Sequence, residues 1–160
     1  MNILIAFYTR TGTTQKAAED MAELLTKHGN QIQLDELVDK KDRSGKIGYL
    51  AAAKDAMRKK ETEIQEIKHD PKDFDMVILG TPVWAGTIAP ALRTYLNRYG
   101  KYFSQVSFYC THGGGGASKT FKTIESILQK SPKATISLYE KDVKNEKHLD
   151  ELETFVRALV

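Results

Sequence analysis

The chain has 160 residues, 41% hydrophobic and 28% charged, enough to bury one ordinary core, so a single domain over residues 1–160 is expected. Its 24 Lys and Arg against 21 Asp and Glu leave a net charge of +3 with mixed signs, too small an excess to argue for nucleic acid, and no apolar run reaches the length of a membrane span. Met1 leads straight into an apolar run and Cys110 is the only cysteine, so neither a secretory leader nor an internal disulfide is expected, and a cytoplasmic location is.

Ile3-Leu4-Ile5-Ala6-Phe7-Tyr8 predicts a buried first strand, and Gln15 to Leu25 carries Ala17/Ala18, Met21, Ala22 and Leu24/Leu25 on a helical period. Between them lies Thr9-Arg10-Thr11-Gly12-Thr13-Thr14. Four hydroxyls around a glycine, next to the unpaired N–H groups of a helix's first turn, form a receptor for a phosphate dianion. The helix dipole adds only about 0.3–1 kcal/mol, so hydrogen bonds to the charged group, roughly 1.5–3 kcal/mol each, carry most of the affinity. Gly12 stands alone and no Lys follows a second Gly, which disfavours a dinucleotide or a nucleoside triphosphate and fits a monophosphate better. Arg10 either helps neutralise the phosphate or points to water.

Lys27-His28-Gly29 closes the first helix, and Gln31 to Leu37 alternates polar and apolar as a strand with one wet face does. A long connection from Val38 to Pro71 follows, with the charged stretch Lys40-Lys41-Asp42-Arg43 and a predicted helix from Ile47 to Lys60. This segment reads as a crossover helix with a solvated basic face, or as a partial lid over the site with Tyr49 beneath it.

Met76-Val77-Ile78-Leu79-Gly80 predicts a central strand, Pro90 to Tyr99 a helix, Val106 to Cys110 a strand and Ala117 to Gln129 a helix. Thr135 to Tyr139 predicts the fifth strand and Asn145 to Leu159 the closing helix. Five strands alternating with helices imply a parallel sheet covered on both faces. Ligands then sit at the carboxyl ends of its strands, where the loops after strands one, three and four converge.

The second of those loops is Thr81-Pro82-Val83-Trp84-Ala85-Gly86, which holds the only Trp of the chain. Placed between Pro and Gly at a strand exit, Trp84 is expected as an exposed plane that stacks on a flat heteroaromatic ring. The third is Thr111-His112-Gly113-Gly114-Gly115-Gly116, whose glycines offer N–H donors and close approach. His112 either hydrogen-bonds the ligand or faces solvent. Cys110 ends strand four near the site and reads as a small buried hydrophobe. No Ser-His-Asp set, zinc spacing or carboxylate pair is visible, so any chemistry belongs to a cofactor.

With three such loops in order, the chain resembles the flavodoxin-like FMN proteins. Thr9-x-Thr11-Gly12-x-Thr14 matches their phosphate-loop signature at every fixed position, and Gly80 to Gly86 followed by Pro90 is similar to their second loop. The resemblance runs over residues 2–159. It implies an α/β three-layer sandwich, a five-stranded parallel sheet in the order 2-1-3-4-5 with helices on both faces. It also implies bound FMN at the three loops, with Trp84 in place of a flavin-stacking aromatic.

Three features depart from the electron-carrying flavodoxins: the third loop has no aromatic, the chain is not acidic, and the 38–71 connection is long. The expected function is electron transfer with redox partner proteins. The alternative is an NAD(P)H-dependent quinone or small-molecule reductase using the same flavin. A response-regulator type of domain would need acidic residues after strand one, where Tyr8-Thr9-Arg10 stands instead.

Overall fold

The computed structural model describes residues 1–160. Five strands, β1 (Asn2–Phe7), β2 (Gln31–Glu36), β3 (Met76–Pro82), β4 (Gln105–His112) and β5 (Thr135–Tyr139), form one sheet in the order β2-β1-β3-β4-β5. Every neighbouring pair is parallel. The period of two along each inner strand sends alternate side chains to opposite faces. Ile3, Ile5, Met76, Ile78 and Tyr109 pack on one face against α1 (Thr13–Lys27) and α6 (Leu149–Leu159). Leu4, Ala6, Val77, Leu79 and Phe108 pack on the other, against α3 (Pro90–Tyr99) and α4 (Ala117–Leu128). Two apolar cores therefore flank one sheet, the three-layer α/β sandwich expected.

The element ends differ from the sequence reading in ways that matter for the site. β3 and β4 run two residues further than predicted, so Thr81, Pro82, Thr111 and His112 lie in strands and the true loops start at Val83 and Gly113. Thr81 pairs with Cys110 and Pro82 with Thr111, continuing the ladder beyond the apolar runs that marked it.

In the 38–71 connection, α2 spans Gly45–Met57 and stops short of Lys60 because Lys59 adopts a left-handed φ of 54°. The closing helix expected from Asn145 starts only at Leu149 as α6, because Glu146 at φ 57° keeps the chain out of a helical path, and a short helix that the sequence reading lacked, α5 (Glu140–Lys144), precedes that turn. No helix is long and apolar enough to cross a membrane.

Candidate functional site

β1, β3 and β4 end side by side, so the segments that follow them meet at one edge of the sheet. α1 begins with Gly12 at its N-cap and without a side-chain cap. The first helical bond that reaches back to the loop is Lys16 N–H to the Gly12 carbonyl, 2.9 Å, which leaves the N–H groups of Thr13, Thr14 and Gln15 for a ligand.

The four hydroxyls separate into distinct roles. Thr9 Oγ1 accepts from Gly12 N–H at 3.1 Å and shapes the turn. Thr14 Oγ1 is buried and shares a 2.8 Å hydrogen bond with Thr111 Oγ1, joining the first loop to β4. Thr11 is exposed. Thr13 Oγ1 is buried and has no hydrogen-bond partner within the chain. A buried hydroxyl without a partner costs stability, so Thr13 is the group of this loop that gains most from a bound anion.

Arg10 does not point freely to water. Its Nε and one terminal nitrogen donate to the Arg43 and Gly45 carbonyls, both at 3.2 Å, and its guanidinium lies 5.1 Å from the centre of the Tyr49 ring. The loop is thereby strapped to the start of α2.

The second loop corrects one expectation. Trp84 is only 4% exposed, not an open plane. It opens a tight turn in which Trp84 and Thr87 exchange backbone hydrogen bonds of 2.9 and 3.0 Å. Ala85 and Gly86 are both left-handed between them, at φ 49° and 73°, as a type I′ turn requires. That turn folds the indole inward, where its ring meets Tyr8 edge to face at 5.2 Å. Sequence alone did not show this, since Ala is an unusual residue for the first position of such a turn.

The third loop packs on the second. Gly116 has φ 90°, and a Cβ there would come within 2.8 Å of the Val83 side chain and 3.1 Å of the Gly86 Cα, so only glycine fits. Gly113 and Gly114 are exposed. His112 Nδ1 accepts from Gly115 N–H at 3.1 Å and its ring lies 6.0 Å from that of Tyr139. A hydrogen bond to Nδ1 leaves only Nε2 of His112 for other contacts. Burial pushes the Cys110 thiol up to about 12, which keeps it protonated and unreactive, as a core hydrophobe should be.

A cavity of about 270 Å³ lies among these segments. The first loop contributes Arg10, Thr11, Thr13 and Thr14, the second Pro82, Val83 and Trp84, and the third Thr111 and Gly113. Thr9, Gly12, Thr81, Ala85, Gly86, His112 and Gly114 to Gly116 do not line it; they shape the chain around it. Tyr49 lines the cavity from α2, and Glu140 and Lys144 line it from α5. The last two were missed, although the rule that ligands gather at strand carboxyl ends applies equally to β5, which ends at Tyr139. Arg10 and Lys144 against Glu140 leave the wall net positive, as an anion requires.

A flavodoxin family profile matches residues 2–158. No curated protein is significantly similar in sequence. Among solved structures, a Lactobacillus acidophilus flavoprotein in complex with FMN superposes with a TM-score of 0.71 at 21% identity, over 90% of this chain and 97% of that one. A Streptococcus pneumoniae flavodoxin gives 0.61 at 14% identity, over 100% of both chains. The rubredoxin:oxygen oxidoreductase of Desulfovibrio gigas gives 0.64 at 15% identity, with 98% of this chain on 34% of that one. These likenesses carry the fold, and the profile match over nearly the whole length carries the family: the chain belongs to the flavodoxins.

Proposed function

We propose that this chain binds FMN noncovalently at the carboxyl edge of its sheet and transfers electrons between redox partners. The observation that carries the reading is the buried, unpartnered Thr13 hydroxyl beside the uncapped start of α1. That donor set fits a terminal phosphate. The flavin, when bound, supplies the electron chemistry. The protein's own residues hold and orient it. The 9–14 segment fixes the phosphate end, the Trp84 turn supplies an apolar wall, and Gly113 closes the third side with bare backbone. The phosphate signature and the family support this assignment, as does the FMN bound by the Lactobacillus acidophilus flavoprotein.

Titration of the protein with FMN and with riboflavin tests it. FMN should bind far more tightly, and Thr13→Val should weaken FMN by roughly ten- to a hundredfold, the value of one hydrogen bond to a charged group. Riboflavin, lacking the phosphate, should be little affected by the same change. Equal affinity for both ligands would remove the phosphate site.

A second reading, an NAD(P)H-dependent quinone or small-molecule reductase, is favoured by the third loop, where the exposed Gly113 and Gly114 carry no aromatic side chain. Anaerobic mixing of the FMN-loaded protein with NADPH separates the two. Prompt bleaching of the flavin absorbance supports the reductase, and a spectrum unchanged over minutes supports the carrier.

A further inference from the structure

The 38–60 segment carries an anomaly that the cofactor site does not use. Ile47 is 85% exposed, Leu50 67% and Met57 69%, three large apolar side chains on one short helix. At 3.6 residues per turn they share an arc of α2 with Lys46 and Lys54, and Arg58 follows at its end. The opposite arc carries the small buried residues Ala52 and Ala56 that seat the helix on the domain. Lys46, Lys54 and Arg58 have no acidic partner within 4.0 Å.

This face is held firmly. Arg43, just before α2, is buried and bonded to Asp39 at 2.7 Å and to Asp55 at 2.9 Å. The face is also continuous with the cofactor cavity: Arg10 and Tyr49 line that cavity and also a groove of about 600 Å³ that Lys46 and Leu50 complete.

We infer that the exposed face of α2 is a docking surface for a partner protein that presents acidic side chains around an apolar spot. An exposed cluster of large apolar residues marks an interaction site. Unpaired cations interleaved with them select a partner of opposite charge, both in encounter and in register.

A lipid surface fits less well. An interfacial helix segregates its apolar residues from its cations, whereas immersing Leu50 and Ile47 in hydrocarbon would take Lys54 with them. A second copy of the chain meeting this face symmetrically would set like charges against each other. That the docked partner exchanges electrons rests on the function proposed above; the docking itself does not.

The test uses the FMN-loaded full chain and a fluorescein-labelled synthetic peptide with Glu and Leu at helical spacing, with its Lys-for-Glu counterpart as control. Fluorescence anisotropy should show binding of the acidic peptide only, weakening as salt rises. Leu50→Ser and Lys54→Glu should each weaken it, the first by roughly tenfold, with FMN affinity unchanged in both. Acidic-peptide binding that neither variant alters overturns the proposal. So does absence of binding, or co-sedimentation of the wild type with phosphatidylglycerol vesicles that Leu50→Ser abolishes, or a dimer in analytical ultracentrifugation that the same variant dissociates. Peptide binding without FMN binding would leave the docking surface standing and remove only the electron-transfer reading.

Discussion

Replacing Gly80 with alanine should destabilise the domain by about 3 kcal/mol or more, the sum of an overpacked core and a disturbed buried hydrogen bond. Gly80 lies in β3 with Phe7 of β1 on one side and Tyr109 of β4 on the other. A Cβ there would sit 2.1 Å from Tyr109 Cζ and 2.3 Å from its hydroxyl oxygen. The Tyr109 ring is fully buried and cannot swing away, and its hydroxyl donates to the Thr14 carbonyl at 3.1 Å. Burial also holds that phenol well above its ordinary pKa, so it remains a donor at any working pH.

Thermal unfolding should show the loss as a fall of roughly 6–12 °C in Tm for a domain of this size. Tyr109→Val in the same chain should recover part of it, because the clash is with the ring. An unchanged Tm in Gly80→Ala would show that Tyr109 does not pack there. The variant should also bind FMN less well, because the displaced hydroxyl supports the first turn of α1.

Arg43→Met should cost about 3–5 kcal/mol, the usual penalty for removing one partner of a buried ion pair. It would leave Asp39 and Asp55 without their shared cation, although Lys41 at 3.0 Å still serves Asp55. Burial disfavours the charged form of Arg43, and the hydrogen bonds it donates to Asp39 and Asp55 outweigh that and raise its pKa. Denaturant unfolding measures the total loss. Amide exchange should show the 38–60 segment opening first, and Asp39→Asn in the same chain should restore part of the stability, which a loss through simple packing would not.

The pH dependence has a definite sign. The Asp55 carboxyl is held below the usual carboxylate range, chiefly by Lys41 and then by Arg43. Its contribution is present above the unfolded carboxylate pKa, about 3.9, and disappears as pH falls through the lower folded value. Acid should therefore loosen this segment, and mild alkali should not.

How far the sequence spoke for the structure depended on whether a signal was local. Solid apolar runs such as Met76 to Leu79 mark strands buried on both faces, and all five strands lie where such runs or alternations lie. The Thr9-x-Thr11-Gly12-x-Thr14 pattern stands at the strand-to-helix junction expected for it. Contacts between distant segments had no such signal. The short α5 and the turn at Glu146 that parts it from α6 have neither Gly nor Pro to announce them. Trp84 turns inward because of a backbone turn that its neighbour Ala85 does not advertise. The exposure of Ile47 and Leu50 could not be read from their hydrophobicity, which alone would have placed them inside.

The hydrogen bond between Thr14, at the start of α1, and Thr111 of β4 joins residues 97 positions apart, and β3 has to be inserted between β1 and β4 before they can meet. Such distant parallel pairing is closed late and slowly in folding. The cavity therefore has no existence in a half-folded chain: a nascent polypeptide made as far as α3 holds the phosphate loop but lacks the strand that completes it. A ligand that recognises only the finished arrangement acts on the folding equilibrium as a whole, by an amount that grows with its concentration above Kd. Cellular supply of the cofactor would then govern how long the protein survives proteolysis as well as how many copies are active.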